Sequence, residues 1–154
     1  LSSLNVPQTN LEKTSAVFQP FIDGITGSLN ILCSNGKGKI IGFNKHITKN
    51  DGKSIKQVGS IIGGLENDKA ELLQLSKKVC FNFPGLYGFI GIDIIKDKNL
   101  WKILEINPRF TSTYCGLHKS YGSIIHKFIK EFYIEKTDIL KKNLELIKVT
   151  KLFF

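Results

Sequence analysis

Three residues in the stretch WKILEINPRF could do chemistry together: Glu105, Asn107 and Arg109. The stretch has the apolar composition of a β-strand, and successive side chains of a strand point to opposite faces. The three polar side chains would therefore share one face, with Leu104 and Ile106 on the other face, toward the core. Arg109 is the only arginine among the 22 Lys and Arg residues of the chain, which singles out this position.

A second carboxylate precedes them in the strand-like stretch FIGIDII, which contains Asp93. If the chain turns back at residues 98–100, Asp93 lies opposite Glu105 on the same face. Two neighbouring carboxylates repel each other unless a cation joins them. Oxygen ligands from Asp, Glu and Asn suit Mg²⁺, which keeps several waters and takes phosphate oxygens as further ligands. Arg109 could then grip a phosphate or a carboxylate through paired hydrogen bonds.

The same residues have an ordinary structural interpretation, namely a surface hairpin with a Glu–Arg pair and an Asn turn. For an isolated Glu-x-Asn that interpretation would be preferred. The coincidence of Asp93, an apolar opposite face and the single arginine favours a functional site. The sequence offers no convincing Ser/His/Asp or Cys/His arrangement for nucleophilic catalysis.

The elements that would position these residues follow from local patterns. SLNILCS and GKIIGFNKHI flank Asn35-Gly36, a strong signal for a hairpin turn. A third strand is predicted over residues 54–62, and a helix over 66–80, where apolar residues recur on one side. After the hairpin that contains Asp93, a second helix is predicted over 123–133, and the tail reads as helix and then strand. This order predicts an α+β fold, mainly an antiparallel sheet flanked by helices.

Composition narrows the functional classes. A chain of 154 residues with 42% hydrophobic residues is long enough for one domain, or part of one, with a real core. The formal net charge of +9 invites a nucleic-acid interpretation, but the excess is dispersed lysine rather than arginine, so nucleic acid is disfavoured as a partner. No run of about 18 apolar residues predicts a membrane span. Three cysteines without a C-x-x-C pattern predict free thiols in the cytoplasm rather than a zinc site.

Two stretches of the sequence resemble a known family. The stretch GFIGIDIIKDKNLWKILEINPRFTSTYCGL is similar to the metal-binding hairpin of ATP-grasp enzymes, which use ATP to join a carboxylate to an amine or a thiol. Together with FIDGITGSLNILCSNGKGKIIGFNKHI, it most resembles the tyramine–glutamate ligase-like branch. The resemblance implies the C-terminal, metal-binding subdomain of that fold. It implies ATP and Mg²⁺ as cofactors, with Mn²⁺ as a possible substitute.

The resemblance also implies a role for each matching position. Asp93 corresponds to the carboxylate of the first metal, Glu105 to the carboxylate that bridges two metals, and Asn107 to the ligand of the second metal. Arg109 corresponds to the arginine that steadies the γ-phosphate or an acyl phosphate. The family's adenine and ribose contacts fall on FQPFIDG, that is on Gln19, Pro20, Phe21, Ile22 and Asp23. The phosphate side of the cleft falls on Asn44 and His46, and the acceptor loop on Thr111, Ser112 and Thr113.

Several of these positions have plain structural alternatives. Phe21 could be a core residue, His46 a polar residue at a strand end, and Thr111–Thr113 only a turn. Ser28 and Asn30 could face the cleft, but alternating polar residues also mark a solvated strand face.

The chain departs from the family before the FQPFIDG-like segment, where the family's glycine-rich lobe and its N-terminal substrate-binding domain are both expected to be missing. Relatives carry a glycine-rich lobe with a lysine before the FQPFIDG-like segment, and fewer than ten residues separate Thr9 from Gln19 here, too few even for a βαβ unit of about 30 residues. The domains are therefore predicted as a remnant or linker over 1–15, the ATP-grasp subdomain over 16–135 and an extension over 136–154. A fragment or shortened form of a ligase is expected, acting on a small carboxylate and an amine, with a missing-lobe partner or a second copy completing the cleft. A degenerate homologue that binds nucleotide or a partner chain without turnover, or a small basic binding module, are the alternatives.

Overall fold

The computed structural model describes residues 19–135, 142 and 144–154, which form an antiparallel sheet with helices on both faces. The six strands of this part of the chain are β1 (Ile25–Ser34), β2 (Lys37–Asn50), β3 (Ile55–Ile62), β4 (Gly88–Asp97), β5 (Leu100–Asn107) and β6 (Thr150–Phe153). The helices are α1 (Lys69–Asn82), α2 (Tyr114–Tyr121) and α3 (Ile124–Lys130). The strand order is β5-β4-β1-β2-β3-β6, and every neighbouring pair is antiparallel. The predicted α+β class is confirmed.

The first hairpin forms where the turn signal predicted it. Asn35 and Gly36 both have positive φ, 51° and 72°, which is the signature of a two-residue type I′ turn. This turn matches the right-handed twist of the flanking strands, so Ser34 pairs with Lys37 and the register of β1 against β2 is fixed. The predicted third strand and the predicted first helix are confirmed as β3 and as a short 3₁₀ turn leading into α1.

One face of the sheet packs against α1. Alternate residues of the central strands, such as Leu29 and Ile31 of β1 and Ile92 of β4, point to this face and are buried. Leu72 and Val79 of α1 meet them, because residues seven apart lie on the same side of a helix. This face is apolar along the whole length of the central strands.

The other face is apolar over only half of its length. There Leu32 and Phe89 pack against Leu117 of α2 and against Ile125 and Phe128 of α3. Further along the same face, β1 presents Asn30 and Ser28 instead of apolar residues. The two helices thus cover one end of the face and leave a polar end, and that end carries the predicted site.

The loop predicted to follow β5 is partly helical, and this is a correction. Tyr114–Tyr121 forms α2, in which Gly116 lies directly on the sheet: a Cβ at this position would come within 2.6 Å of Ile62. The helix predicted over 123–133 is confirmed, as α3 followed directly by a π-helical turn over Glu131–Glu135.

Leu104 was predicted to face the core, and this prediction is wrong. Its side chain is 50% exposed, because Leu104 is the extra residue of a β-bulge: Asp93 pairs with Glu105 but Ile94 pairs with Ile103. Ile106, its predicted partner on the core face, does pack against the α1 side of the sheet.

The tail returns to the sheet as an edge strand, β6, paired with β3. Its predicted strand is confirmed, whereas residues 136–141 and 143, and the predicted remnant over 1–15, lie outside the described residues. Within the described ranges, no helix is both long enough and apolar enough to cross a bilayer.

Candidate functional site

Asp93 and Glu105 face each other across β4 and β5, as predicted. Directly opposed residues of an antiparallel pair have Cβ atoms about 4.5–5.5 Å apart and project to the same face. Asp93 is half-buried and Glu105 is exposed, so the pair forms a carboxylate site open to solvent on one side.

The β-bulge at Leu104 is responsible for the pairing of Asp93 with Glu105. The turn between the strands contains only Lys98 and Asn99, so Asp97 pairs with Leu100. In a regular ladder from that turn, Asp93 would meet Leu104, and Glu105 would point to the opposite face. The extra residue at Leu104 shifts the register by one and turns Glu105 toward Asp93. The prediction assumed a three-residue turn, which leads to the same pair.

Asn107 and Arg109 extend the carboxylate pair into a connected polar chain. The Asn107 side-chain amide Nδ2 donates to Asp93 Oδ2 at 3.2 Å, and Arg109 Nη2 donates to Asn107 Oδ1 at 3.4 Å. Asn107 is the last residue of β5, and Pro108, which lacks an amide hydrogen, follows it. The structure thus brings together all four residues singled out on this hairpin.

The electrostatics of the site favour a cation. Burial raises the pKa of Asp93, and the nearby Glu105 carboxylate raises it further, while Arg109 and the Asn107 hydrogen bond act in the opposite direction. A cation between the two carboxylates would relieve the repulsion. Across the described ranges no three His, Cys, Asp or Glu side chains gather into a metal cluster, so this site offers two carboxylates and an amide. That set fits Mg²⁺, which fills its remaining positions with water and phosphate oxygens.

A polar row continues from the carboxylates across the sheet. Ser28 pairs with Asp93, and Asn44 pairs with Ser28. Asn44 Nδ2 donates to Asn30 Oδ1 at 2.8 Å and lies 3.4 Å from Ser28 Oγ. Asn44 Oδ1 is buried and has no hydrogen-bond partner in the part of the chain that the structure describes. Such an unsatisfied acceptor is unfavourable in the protein alone and marks a place for a donor.

Ser28 and Asn30 are buried, so the solvated-face alternative for them is wrong. Asn30 ties the loop after β5 to the sheet: its Nδ2 donates to Thr111 Oγ1 at 3.0 Å, and Thr113 Oγ1 donates to its Oδ1 at 3.1 Å. The hydroxyl groups of Thr111 and Thr113, which were expected to donate to substrate, are therefore engaged in holding the loop to the sheet. Ser112 is exposed. Sequence reasoning did not find this anchoring role of Asn30.

His46 lies two residues beyond Asn44 on β2 and therefore on the same face. It is half-buried, and burial lowers its pKa to about 4. The imidazole is therefore neutral at pH 7, able to donate one hydrogen bond and accept another.

The predicted adenine segment leads into β1. Gln19, Pro20, Phe21 and Asp23 are exposed and Ile22 is half-buried, so the core alternative for Phe21 is wrong. Asp23 lies five residues before Ser28, roughly 16 Å away at about 3.3 Å per residue of extended chain. The segment and the carboxylates thus mark two ends of an elongated surface.

Ile95 lies between those two ends and was missed by the sequence reasoning. It follows Asp93 by two residues on β4, points to the same face and pairs with Thr26. An apolar, 5% exposed side chain there could serve as one wall for a flat ring. The period-two alternation of β4 is the signal that would have found it.

The fold and the polar face define a family, and the chain belongs to it: the profile described as ATP-grasp domain matches residues 3–113. Among curated proteins, the chain is 32% identical over 127 residues to the tyramine–L-glutamate ligase of Methanocaldococcus jannaschii. That match covers 79% of this chain and 37% of the relative, so the chain spans just over a third of the relative's length.

Solved structures share the fold at low sequence identity. An L-amino acid ligase from Bacillus licheniformis superposes with a TM-score of 0.69 at 11% identity, over 86% of this chain and 34% of that chain. The biotin carboxylase domain of the Hydrogenobacter thermophilus 2-oxoglutarate carboxylase, solved with MgADP, ADP and bicarbonate, gives a TM-score of 0.66 at 14% identity. The match covers 85% of this chain and 30% of that chain.

Proposed function

We propose that this chain is the metal- and phosphate-binding part of an ATP- and Mg²⁺-dependent carboxylate–amine ligase. The observation that carries the proposal is the carboxylate pair Asp93–Glu105, connected through Asn107 to the only arginine of the chain. The family membership supports ATP as the nucleotide, and the ligase named among the relatives supports amide formation.

In this proposal Asp93, Glu105 and Asn107 hold Mg²⁺, or Mn²⁺, which accepts the same oxygen donors. Once bound, the ion would neutralise the charge that gathers on the phosphate oxygens during transfer. Arg109 is exposed, and its guanidinium could swing from Asn107 to a phosphate oxygen while remaining close to the ion.

The remaining contacts to ATP follow the polar face toward β1. Neutral His46 would donate a hydrogen bond to a phosphate or ribose oxygen, and Asn44 would accept one from a donor on the ligand through its buried Oδ1. The backbone around Pro20 to Ile22 would meet the adenine edge, with Gln19 and Asp23 beside the base and the ribose. The exposed state of this segment agrees with a role at the rim of the cleft.

The reaction would proceed in two stages. A carboxylate oxygen of the first substrate attacks the γ-phosphorus of ATP, so that ADP leaves and an acyl phosphate forms. The amine of the second substrate then attacks the acyl carbon, phosphate leaves, and the amine loses a proton as the amide forms. Both stages concentrate negative charge beside Arg109 and the carboxylate site, so positioning and electrostatics supply the catalysis.

The full activity would need parts that this chain does not span, given its coverage of 37% of the ligase relative. We propose that a lobe carrying the glycine-rich flap and its lysine, supplied from outside this stretch of sequence, completes the cleft. A small amino-acid-like carboxylate and a small amine are the substrates. The cytoplasm is the proposed location, because three cysteines without a C-x-x-C pattern suit free thiols in a reducing compartment.

Calorimetric titration with ATP in the presence and absence of Mg²⁺ tests the proposal. We expect Mg²⁺-dependent binding in the wild type and its loss in Glu105→Gln, because the substitution removes one of the two anionic ligands without changing shape. Glu145→Gln is the matched control: Glu145 is exposed in the described tail, away from β4 and β5, and its substitution should leave binding unchanged. Wild-type affinity in Glu105→Gln, with the fold intact by circular dichroism, would refute the site.

A catalytically degenerate homologue that binds nucleotide or a partner chain without turnover is the second candidate. Release of phosphate from ATP with a carboxylate and an amine present, alone or after adding the missing lobe of a related ligase, separates the two. Binding without turnover under both conditions would support the degenerate form.

A further inference from the structure

Asn30 lies in a recess of the polar face, within a row of paired residues that crosses the sheet. On one side it pairs with Gly91 of β4, which pairs in turn with Asn107, and on the other side it pairs with Gly42 of β2. A Cβ at Gly91 would lie 2.4 Å from Thr111 Cγ2, and a Cβ at Gly42 would lie 2.9 Å from Asn30 Oδ1. The two glycines therefore make the room in which Asn30 meets the loop after β5.

Within this recess the side chain of Asn30 closes a ring of hydrogen bonds with two threonines of the loop. Its Nδ2 donates to Thr111 Oγ1 at 3.0 Å, and Thr113 Oγ1 donates to its Oδ1 at 3.1 Å. The two threonine oxygens lie 2.9 Å apart. Because Thr113 gives its one hydroxyl hydrogen to Asn30, Thr111 is the donor between the two hydroxyls. Each group of the ring thus donates to the next, and a satisfied buried network of this kind favours a single arrangement of the chain.

The ring is connected to the proposed nucleotide surface through Asn44. Asn44 Nδ2 donates to the same Oδ1 of Asn30 at 2.8 Å, and Asn30, Asn44 and Thr113 are all buried. Asn30 thus uses both ends of its amide inside the protein, where no substrate or nucleotide reaches it. Its part in a reaction is therefore indirect, through the residues that it holds in place.

The loop that Asn30 holds is the loop that carries Arg109. The backbone amide of Arg109 donates to Asn107 O at 2.8 Å, and the next residue, Phe110, stacks on Phe89 with ring centres 4.4 Å apart. Phe110 is 48% exposed, so this stack leaves much of its ring in water. The ring around Asn30 is the buried anchor of the loop. Only one residue separates Arg109 from the first threonine of that anchor, so a displaced anchor would displace Arg109 as well.

We propose that Asn30 is a positioning residue for Arg109, and that it acts through the ring with Thr111 and Thr113. This inference rests on the proposed function, in which Arg109 grips a phosphate of ATP, and it assigns that contact to the γ-phosphate. ADP lacks the γ-phosphate, so a misplaced Arg109 should weaken the binding of ATP and leave the binding of ADP unchanged. A residue that only supports the fold would weaken both nucleotides equally.

Calorimetric titration of Thr113→Val with ATP and with ADP, both in the presence of Mg²⁺, tests this assignment. Valine keeps the shape of threonine but has no hydroxyl, so the ring opens without leaving a cavity. We expect ATP to bind about threefold to tenfold more weakly, because the lost hydrogen bond leaves a buried group unpaired, and ADP to bind as in the wild type. Asn30→Ala opens the ring from the side of the sheet and should give the same selective loss. Thr48→Val makes the same exchange at an exposed position on β2 and should change neither affinity.

A double-mutant cycle identifies the route of the effect. Arg109→Gln should lower the preference for ATP over ADP, and adding Thr113→Val to it should lower that preference no further, because both changes remove one contact. Additive losses in the double variant, or equal losses of ATP and ADP in Thr113→Val, would overturn the positioning role.

Hydrogen exchange without nucleotide separates a failure of this inference from a failure of the proposed function. The amides of Tyr114 and Gly116 donate to Thr111 O and Thr113 O, both at 3.0 Å. They should exchange at least about threefold faster in Thr113→Val, and at the wild-type rate in Thr48→Val. Unchanged exchange in Thr113→Val, or faster exchange with a wild-type preference for ATP, would overturn the positioning role. A wild-type chain that binds no ATP would instead overturn the proposed function.

Discussion

Removing one charge from the carboxylate pair should stabilise the protein when no metal is present. Asp93→Asn keeps the shape of the side chain and an oxygen to accept from Asn107, but it ends the repulsion with Glu105. For two charges about 5 Å apart, Coulomb's law gives about 3 kcal/mol at an effective dielectric constant of about 20 and about 0.8 kcal/mol in bulk water. Glu105 is exposed and therefore screened, so we expect a gain of about 1 kcal/mol in the free energy of unfolding.

Differential scanning calorimetry in the presence of EDTA measures this gain. For a chain of 154 residues, about 1 kcal/mol corresponds to a rise in Tm of about 2–4 °C. Adding Mg²⁺ and ATP should then raise the Tm of the wild type but not of the variant, because a ligand stabilises only the form that binds it. Asp97→Asn on the same hairpin is the matched control: Asp97 pairs with Lys102, so its substitution should bring no gain.

The pH dependence gives a second check on the same pair. The pKa of Asp93 is raised in the folded protein, so its ionisation costs stability as pH rises from the ordinary carboxyl value of 3.8 through the raised one. The advantage of Asp93→Asn should be full at neutral pH and vanish in acid, where Asp93 is already protonated. A variant that is less stable than the wild type at neutral pH in EDTA would show that the carboxylates do not repel, and the reasoning for a cation site would fail.

Two further outcomes follow from burial and close packing. The pKa of His46 falls from 6.5 to about 4 on folding, so its contribution to stability is full above pH 6.5 and is lost as pH falls toward 4. That loss is at most about 3 kcal/mol, and His46→Gln should remove it from urea unfolding curves measured across this range. Gly91→Ala should destabilise by about 1–3 kcal/mol and weaken ATP binding, because a Cβ there would lie 2.4 Å from Thr111 Cγ2 and push the anchored loop away. Gly85→Ala, with open space around it, should do neither, and an unchanged melting curve for Gly91→Ala would contradict the close approach.

Local signals in the sequence were sufficient for most of the sheet. Asn35-Gly36 specifies a two-residue turn whatever the rest of the chain does, and the alternation around Asp93 and Glu105 identifies the face that they share. These features depend on neighbours in sequence, so they are visible in it.

The missed features depend on contacts between distant segments. No glycine or turn residue in the sequence marks the bulge at Leu104. Helix α2 contains Gly116, a weak helix former, and the reason for a glycine at this position is its close approach to Ile62, which the local sequence does not show. The anchoring role of Asn30 needs Thr111 and Thr113, which lie more than 80 residues away in the chain. The alternation of polar residues along β1 could not by itself distinguish this anchoring role from a strand face exposed to solvent.

The site on this hairpin depends on residue number as much as on residue type. With the present number of residues, a regular ladder without the bulge would send Glu105 and Asn107 to the side of α1, and the site would be lost although every donor is unchanged. Exchanging Leu104 for another exposed residue leaves the count intact. Position 104 should therefore vary freely in identity among descendants of this chain. Loss of that one residue should be tolerated, because Glu105 would then meet Asp93 in a regular ladder, whereas a single added residue would turn Glu105 away.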